Sequence, residues 1–577
     1  MVETIERKIH NEIDSDAWQG VPDIIQKLYT SRGVKNKNEA DLALANLLPF
    51  ADLKNIAQAS ELLSDAIEKK SKILIVGDYD VDGATSTTLA VRALRDFGAC
   101  DVQYILPDRF VDGYGLSTAI VEKANALSPD LIITVDNGIS SVDGVALARK
   151  YGIKVLITDH HLAGDAVPQD CVIVNPNQKD DNFPSKNLAG VGVIFYVMAA
   201  LRAKLSEKNY FHETGIGRPN LTKYLDLVAL GTVADVVPLD KNNRILVKYG
   251  LAIMRDKNCC HGIKALFATA KRDPARAVSS DLGFAVAPRL NAAGRLDDMT
   301  VGVKCLLSDD MEAAEYYAAT LDELNKQRRT TEGAMQLEAE DLVASMSFDS
   351  MPLGLCLHAK DWHQGVVGLV ASRIKDKTNR PVIAFADGDG GLLKGSGRSI
   401  KGLHLRDVVA EVSTLNPGLI PKFGGHAMAI GLSIKESDFA TFKDEFMKVL
   451  QRKLAPELLR EKLYTDGVLA YDQITLPTAR LLRDAGPWGQ CFPEPMFEGE
   501  FELIEQKLVG EKHLSMRLRN SNSGFCYRAI CFNVDLDKWP NNRCTSIKAV
   551  YQLDINMFRD LENLQLIVKN IEARSEI

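Results

Sequence analysis

The sequence predicts an α/β protein: a doubly wound parallel sheet, then a long connecting helix, a smaller α/β domain and a C-terminal β-barrel. Three observations support this fold class. Short apolar runs alternate with helical runs between residues 72 and 160, residues 310–345 form one long charged amphipathic run, and short alternating segments follow residue 464. A chain of 577 residues exceeds what one hydrophobic core usually holds, so several domains are expected.

The elements follow from these patterns in chain order. Residues 17–70 contain polar helical segments, clearest over 41–48 and 60–70, and are predicted to cover the first domain. Helical runs between the apolar runs predict parallel strands with helices on both faces. Predicted strands of the first sheet are residues 73–76, 102–106, 131–135 and 154–158, and the helices are 87–94, 117–127 and 141–150. The second α/β unit starts with strand 354–357, helix 365–377 and strand 382–385, and the barrel strands are 500–508, 513–519, 525–534 and 546–553.

Composition places the chain among ordinary globular proteins. Hydrophobic residues make up 46% and charged residues 25%, and no run of 18 apolar residues occurs. The first 16 residues are polar and charged, so we expect a cytoplasmic protein without a membrane segment. Ten cysteines without a C-x-x-C pair argue against zinc ribbons and disulfides. The net charge of −8 is no signature of nucleic-acid binding, but it leaves room for a local basic groove.

Three carboxylates follow the first predicted strand, at Asp78, Asp80 and Asp82. Open α/β sheets bind their ligands at the carboxyl ends of strands, and this much negative charge favours a bound cation. The letters D-x-D-x-D-G also fit an EF-hand loop, but the twelfth position is Leu89 instead of Glu and a strand precedes the loop. The EF-hand is therefore rejected, while an Asp-rich turn that caps a helix stays open.

Further metal-type side chains end the later elements of the same sheet. Asp136 follows the third strand, His160 and His161 follow the fourth after Asp159, and Asp235 follows an apolar helical run. A single Asp in this position is often a helix cap, but four such clusters on one sheet are hard to explain in that way. Oxygen ligands with imidazole and no thiolate favour Mn²⁺ or Mg²⁺, and shared carboxylates suit a two-metal site for phosphoryl hydrolysis.

Four segments together resemble the motifs of the DHH phosphoesterase superfamily, in order. They are Gly77-Asp78-Tyr79-Asp80-Val81-Asp82-Gly83, Val135-Asp136-Asn137-Gly138, Asp159-His160-His161 and Gly231-Thr232-Val233-Ala234-Asp235. The resemblance implies two divalent ions, Mn²⁺ or Mg²⁺, bridged by Asp136. It also implies that His161, beside the scissile phosphate, and Asp136 are the catalytic residues. The implied metal ligands are Asp78, Asp80, Asp82, Asp136, His160 and Asp235. Which of the first three binds directly stays open.

Later segments distinguish branches of the superfamily. Residues 175–177, 183–184, 188–193 and 288–296 resemble its long single-strand exonucleases, and residues 423–431 resemble the glycine-histidine motif of a DHHA1 domain. The barrel resembles an OB-fold in which Arg517, Arg519 and Arg528 interleave with Phe525, Tyr527 and Phe532. Aromatic residues on a barrel are often core residues, so their role stays open. Predicted domains are 1–309 (DHH, with a helical cover), 310–345 (connecting helix), 346–455 (DHHA1) and 456–577 (OB-fold).

The resemblance implies a 5′-to-3′ exonuclease specific for single-stranded DNA that releases 5′-mononucleotides in DNA repair and recombination. It further implies a monomer with a single-strand-binding protein and a helicase as partners, and it leaves the physiological metal, the repair pathway and the partner-docking surface open. A 5′-phosphate pocket is implied for Arg109, Ser396 and Arg398, and DNA contacts are implied for Arg289, Asn291, Arg295, Gly424, Gly425 and His426. Two alternatives are a phosphodiesterase for short oligonucleotides or cyclic dinucleotides, and a replication scaffold without catalysis.

Overall fold

The computed structural model describes residues 4–8, 15–164, 166–346, 351–521, 523–559 and 561–576. The chain divides into two compact units. The larger unit comprises residues 8–325 and 465–577, and the smaller unit comprises residues 1–7 and 326–464. Among the described helices, none combines the length and the apolar character needed to cross a membrane.

The N-terminal region is only partly helical. Its elements are β1 (Thr4–Arg7), α1 (Asp23–Thr30), α2 (Lys37–Ala40) and α3 (Ile56–Glu68). The helix predicted over 60–70 is confirmed by α3, but the helix predicted over 41–48 is wrong, since only a 3-10 turn at Leu44–Asn46 forms there. Asp41 accepts a hydrogen bond from the Ala43 amide, which competes with a helix, and Pro49 disfavours helical backbone in the residue before it.

The first sheet is parallel, with strand order β3-β2-β4-β5-β6, which confirms the predicted doubly wound topology. Its elements are β2 (Lys72–Val76), α4 (Val81–Asp96), β3 (Asp101–Ile105), α5 (Thr118–Ala126), β4 (Leu131–Val135), α6 (Val142–Lys150), β5 (Lys154–Thr158) and β6 (Val172–Val174). Ile73 and Ile75 enter one hydrophobic core, whereas Leu74 and Val76 enter the core on the opposite face. A strand covered on both faces needs this unbroken apolar run.

Eight helices follow the sheet in the described part of the larger unit. They are α7 (Gly190–Glu207), α8 (Tyr210–Thr214), α9 (Leu225–Ala234), α10 (Lys241–Arg255), α11 (His261–Thr269), α12 (Ser279–Asp281), α13 (Ala287–Leu296) and α14 (Thr300–Leu307). A π-helical turn, Leu282–Val286, joins α12 to α13. Helix α13 lies directly on the first aspartate-rich segment, because a Cβ at Gly294 would come within 1.8 Å of the Tyr79 carbonyl oxygen.

The predicted connecting helix is α15 (Met311–Ser345), whose 35 residues run from the larger unit into the smaller one. The smaller unit has a mixed five-stranded sheet of order β10-β11-β9-β8-β7, in which only β7 and β8 are parallel among the described strands. Its elements are β7 (Leu355–His358), α16 (Val367–Thr378), β8 (Val382–Asp387), β9 (Leu392–Arg398), α17 (Leu405–Leu415), β10 (Lys422–Gly425), β11 (Ala429–Lys435), α18 (Phe439–Lys453) and β12 (Lys462–Thr465).

The C-terminal segment forms the predicted barrel, which is closed with strand order β13-β14-β15-β17-β16. Its elements are α19 (Leu476–Asp484), β13 (Phe497–Val509), β14 (His513–Arg519), β15 (Cys526–Cys531), β16 (Cys544–Phe558) and β17 (Leu561–Glu576). The last strand was not predicted, although it closes the barrel by pairing in parallel with β15. Buried barrel residues such as Tyr551 belong to the same hydrophobic core as Ile73 of the first sheet.

Candidate metal centre

The aspartate-rich segment joins β2 to α4 and places its three carboxylates differently. Asp80 is the N-cap of α4, where its Oδ1 accepts a hydrogen bond of 3.0 Å from the Gly83 amide. Asp78 and Asp82 are buried, with 3% and 1% of their surface exposed. Helix capping is therefore real at Asp80, but it does not explain two further carboxylates in the protein interior.

Asp82 is held by the N-terminus of α7. The Gly190 amide donates to its Oδ2 at 2.6 Å, and the Val191 amide donates to its Oδ1 at 2.9 Å. A helix N-terminus stabilises negative charge, so α7 orients this carboxylate and partly offsets its burial. A Cβ at Gly190 would lie 2.5 Å from the Cβ of Asp136, which explains why a glycine stands at the start of α7.

The remaining metal-type side chains converge on the same point. His160 Nε2 lies 3.2 Å from Asp136 Oδ1, 3.5 Å from Asp235 Oδ2 and 3.9 Å from Asp82 Oδ2. Three groups, Asp78-Asp80-Asp136, Asp82-His160-Asp235 and Asp136-His160-His161, each have possible ligand atoms within 4.8 Å of one another. Asp136 and His160 each belong to two of these groups. All seven side chains predicted around the metals are thus brought together.

The electrostatics of this cluster fit a divalent cation. Burial, followed by the nearby Asp80, raises the pKa of Asp78 to about 8 and that of Asp82 to about 7. Burial and neighbouring carboxylates also raise the pKa values of Asp136 and Asp235 well above the usual range. Asp78 Oδ1 is buried without a hydrogen-bond partner. Acceptor oxygens that lack donors, in a set without thiolates, suit Mn²⁺ or Mg²⁺.

His161 stands beside the carboxylates and is held by Asp159, a residue missing from the predicted site. His161 Nδ1 lies 2.8 Å from Asp159 Oδ1, and the Ile139 amide donates to the other oxygen of Asp159. Burial alone would lower the pKa of His161, but the hydrogen bond and charge of Asp159 outweigh it and raise this pKa to about 9. The contact with Asp159 therefore favours the protonated form of His161. Burial alone would raise the pKa of Asp159, yet the contact with His161 lowers it.

The predicted phosphate-binding residues lie in both units. Ser396 and Arg398 are on β9, where Arg398 Nη1 lies 3.2 Å from Ser396 Oγ. The N-terminus of α16 packs on both, because a Cβ at Gly368 would lie 2.7 Å from Ser396 Oγ and 2.9 Å from Arg398 Nη2. Arg109 belongs to the larger unit, on the loop between β3 and α5, with its guanidinium carbon 4.3 Å from the centre of the Tyr79 ring. The grouping of these residues in one pocket stays a prediction.

The predicted DNA-binding residues Arg289, Asn291 and Arg295 all lie on α13. Arg289 donates from Nε to Asp322 Oδ1 at 2.9 Å and from Nη1 to the Ala285 carbonyl at 2.6 Å. Its charge is therefore already paired within the protein, and a phosphate would have to compete with Asp322. The DNA contacts of α13 stay a prediction.

The glycine-histidine segment forms a β-hairpin. Gly424 and Gly425 end β10, and the His426 amide donates to the Ala429 carbonyl at 2.8 Å as the chain turns into β11. A Cβ at Gly424 would meet no atom within 4 Å, so its backbone is open to a close approach. Gly425, with φ of +133°, instead packs against Ala429 and is required by the turn. The predicted DNA contacts of this segment stay a prediction.

The barrel residues divide between core and surface. Tyr527 is buried, whereas Phe525 and Phe532 are 62% and 50% exposed. Arg517 and Arg528 stand directly opposite each other across β14 and β15, and both are exposed. Like charges placed opposite in a sheet repel each other, so this pair favours an anionic ligand. The third arginine, Arg519, instead donates from Nε to Glu502 at 2.7 Å, so its charge is neutralised.

Comparison with known proteins identifies the family. Three family models match the chain: the DHH family N-terminal domain over residues 72–232, the DHHA1 domain over 351–454 and the RecJ OB domain over 465–570. The single-stranded-DNA-specific exonuclease RecJ of Escherichia coli is 50% identical over 564 residues, which cover 97% of this chain and 98% of that protein. The chain belongs to the RecJ family. A RecJ of Bacillus subtilis, 33% identical, matches 95% of this chain and 67% of its own length.

Solved structures of the RecJ family support the fold. The structure of RecJ from Thermus thermophilus in complex with Mn²⁺ has a TM-score of 0.81 and 28% identity, covering all of this chain and 81% of that one. A second structure, an exonuclease RecJ bound to manganese, has a TM-score of 0.58 and 33% identity over 71% of this chain and 97% of its own. The predicted DHH, DHHA1 and OB-fold architecture is confirmed, while the predicted domain boundaries stay predictions.

Proposed function

We propose that this chain is a metal-dependent exonuclease that hydrolyses single-stranded DNA from the 5′ end and releases 5′-mononucleotides. The convergence of buried carboxylates and His160 at the carboxyl edge of the first sheet carries this proposal. Relatives named as single-stranded-DNA-specific exonucleases, and RecJ structures that contain Mn²⁺ or Mg²⁺, support the substrate and the metal. The complete ligand set argues against a scaffold without catalysis.

We assign two ions to the centre. The group Asp78-Asp80-Asp136 would hold one and the group Asp82-His160-Asp235 the other. Asp136 would bridge them, since it lies in the first group and within 3.2 Å of His160 in the second. When bound, the ions would act as Lewis acids on the phosphate and would make an attacking water more acidic. The carboxylates would set the positions of the two cations. Asp80 is also the N-cap of α4, so this helix holds the first group in place.

His161 supplies the positive charge that belongs to the protein itself. Its Nδ1 proton is engaged by Asp159. Its Nε2, which the Tyr114 hydroxyl also approaches at 3.3 Å, would donate its proton to an oxygen of the scissile phosphate when the strand binds. The hydrogen bond and charge of Asp159 favour the protonated imidazole and raise its pKa to about 9 in the metal-free protein. A fixed imidazolium in a buried site stabilises the extra charge of the phosphoryl transition state more than that of the substrate.

Two further surfaces would bind the strand. The exposed arginines Arg517 and Arg528 would neutralise phosphates, and exposed Phe525 and Phe532 would stack on bases, as on other single-strand-binding barrels. In the smaller unit, Ser396, Arg398 and the N-terminus of α16 offer donors of the kind that bind a terminal phosphate. A single-strand-binding protein and a helicase as partners, a monomeric state, a cytoplasmic location and a role in repair and recombination stay predictions.

The Arg398→Ala variant tests how the 5′ end is selected. Loss of a charge-assisted contact worth about 1.5 to 3 kcal/mol should erase a tenfold or larger preference for 5′-phosphorylated strands. Slow metal-dependent cleavage should persist, because the carboxylate cluster is unchanged. Initial rates would be measured on matched single strands that carry a 5′ phosphate or a 5′ hydroxyl, and on a dinucleotide.

The matched control is Arg452→Ala, an exposed arginine on α18 of the same unit that pairs with Glu411. This control should keep the wild-type preference. Equal discrimination by wild type and Arg398→Ala would refute the role of Arg398 in reading the end. A wild-type enzyme that cleaves dinucleotides much faster than long strands would instead support the short-substrate phosphodiesterase.

A further inference from the structure

His161 has a second neighbour that the proposed function does not use. The hydroxyl of Tyr114 lies 3.2 Å from His161 Nδ1 and 3.3 Å from Nε2, and the two rings meet edge to face with centres 5.7 Å apart. The same hydroxyl is 3.3 Å from the Asp136 carbonyl oxygen, to which it can donate. The Tyr114 hydroxyl therefore contacts both the Asp136 backbone and the His161 ring, and it gives the imidazole a polar contact in addition to Asp159.

Tyr114 lies on the loop of residues 107–117, which also carries Arg109. Two glycines with positive φ, Gly113 at +77° and Gly115 at +68°, flank the tyrosine and set its direction. Asp112 braces the loop, since its carboxylate accepts from the Asp108 amide at 2.9 Å and from Lys123 Nζ at 2.7 Å. The conformation of the whole loop therefore determines where the Tyr114 hydroxyl lies.

A packed line of rings connects Arg109 to His161. The Arg109 guanidinium stacks on Tyr79, and the Tyr79 ring meets the Tyr114 ring edge to face, with centres 6.3 Å apart. The Tyr114 hydroxyl then reaches His161. Although 46% of Tyr114 is exposed, burial around its hydroxyl and the nearby carboxylates raise its pKa, so the phenol keeps its proton at neutral pH.

We propose that Tyr114 is a positioning residue that orients the His161 imidazole, and that an anion bound by Arg109 strengthens this action by ordering their shared loop. The anion would be a phosphate of the DNA strand, and the inference rests on the proposed function. Exonucleolytic turnover would then depend on the 5′ phosphate in its chemical step as well as in binding. A strand without that phosphate would leave the loop less ordered and His161 less well directed.

The Tyr114→Phe variant tests this proposal, because it keeps the ring and removes only the hydroxyl. On 5′-phosphorylated single strands with Mn²⁺, kcat should fall about tenfold while KM changes less than about twofold. On 5′-hydroxyl strands the same change should lower kcat less than about threefold, since the loop is less ordered there. The melting temperature and its rise on addition of Mn²⁺ alone should match those of the wild type.

Tyr151→Phe is the control, since it removes an exposed tyrosine hydroxyl that bonds only to Glu122 among the described contacts. It should leave both kcat values unchanged. Equal kcat for wild type and Tyr114→Phe, or an equal loss on both kinds of strand, would overturn the coupling proposed for Tyr114. A wild-type enzyme that cleaves neither strand with Mn²⁺ would overturn the proposed function itself, and the two failures are therefore distinguishable.

Discussion

At the scale of single residues, the metal centre is a cluster of negative charge that the fold has to tolerate. Asp136 is surrounded by carboxylates, is buried, and has a left-handed backbone with φ of +63°. Non-glycine residues in this region store strain, commonly at functional sites. Asp136 therefore combines electrostatic repulsion with backbone strain, which is consistent with the role of metal ligand proposed for it.

The Asp136→Asn variant should show separately how Asp136 affects the stability of the metal-free protein and how it affects hydrolysis. Without metal, its melting temperature should exceed that of the wild type, because an amide removes the cost of placing a further carboxyl group among buried carboxylates. With Mn²⁺, its melting temperature should rise less than that of the wild type, and hydrolysis should fall below ~10%. Thermal unfolding with and without Mn²⁺ and a nuclease assay would check this. A variant that keeps higher turnover at saturating metal would contradict the two-metal assignment.

The same repulsion predicts a pH dependence for the metal-free protein. The pKa of Asp78 is raised in the folded state to about 8, so its contribution to stability is complete below the unfolded pKa of about 3.9. That contribution is lost as the pH rises towards 8. The melting temperature without metal should therefore fall between pH 5 and 8, and saturating Mn²⁺ should flatten the curve. A metal-free protein that is equally stable throughout this range would contradict the raised pKa.

Residue types at strand ends predicted which side chains converge at the edge of the sheet, but they could not reveal the residues that hold those side chains in place. Asp159 stands next to two histidines, and only the structure shows that its carboxylate forms a hydrogen bond with His161. Tyr114 lies 22 residues from Asp136 and 47 from His161, so no local pattern marks it. The sequence also did not reveal ion pairs within the protein. Arg289 was predicted to contact DNA, yet it forms an ion pair with Asp322.

At the scale of elements, the buried carboxylate of Asp466, just after β12, connects this segment to the N-terminal helical region. Asp466 forms a two-pronged ion pair with Arg32, at 2.9 and 3.0 Å, and accepts further bonds from Lys8 and the Met496 amide. The Asp466 and Arg32 side chains are 0% and 1% exposed. Burial alone would raise the pKa of Asp466, but the contacts with Arg32 and Lys8 outweigh it and lower this pKa.

Replacement of Asp466 by Asn should cost about 3 to 5 kcal/mol of stability at pH 7, because Arg32 would be left buried with an unpaired charge. The depressed pKa means that the wild-type contribution is present above the unfolded pKa of about 3.9 and is lost as the pH falls through the folded value. The difference between wild type and variant should therefore shrink in acid. Denaturant unfolding at pH 7 and at pH 3 would show it.

Asp535→Asn serves as the control, since Asp535 pairs with Lys538 on the surface of the barrel. Exposed pairs contribute little, so this change should have no measurable effect on unfolding. Equal losses for the two variants would show that the buried pair adds no particular stability.

Element prediction succeeded for continuous apolar runs and failed at two segments, β17 and residues 41–48. Strands β2, β4 and β5 were found because each contains a continuous apolar run between helices. Strand β17 was missed because polar and charged residues interrupt its apolar pattern, although it forms an antiparallel hairpin with β16 and also pairs in parallel with β15. The helix predicted over 41–48 does not form, because the Asp41 side chain bonds the Ala43 amide and Pro49 follows the segment. Hydrophobic periodicity does not detect either effect.

At the scale of the whole molecule, a net charge of −8 coexists with local positive charge on the barrel. We expect single-strand affinity to weaken with salt, because phosphates are neutralised locally. The Arg517→Gln, Arg528→Gln double variant should reduce the slope of log affinity against log salt by about 0.7 per lost contact. Arg519→Gln is the matched control with a smaller effect, because Glu502 already pairs with it. Affinity that is independent of salt in the wild type would contradict this mode of binding.

The larger unit is assembled from two distant parts of the chain, and this has a consequence for biosynthesis. Lys8 and Asp466 are 458 positions apart, and the barrel completes a core that the first sheet begins. At ribosomal speeds of 5 to 20 residues per second, the N-terminal apolar surface would wait roughly 20 to 90 s for its cover. We therefore expect chaperones to bind the exposed apolar surface of the nascent chain during that interval. Residues 326–464 are continuous in sequence, so they can fold as soon as they leave the exit tunnel.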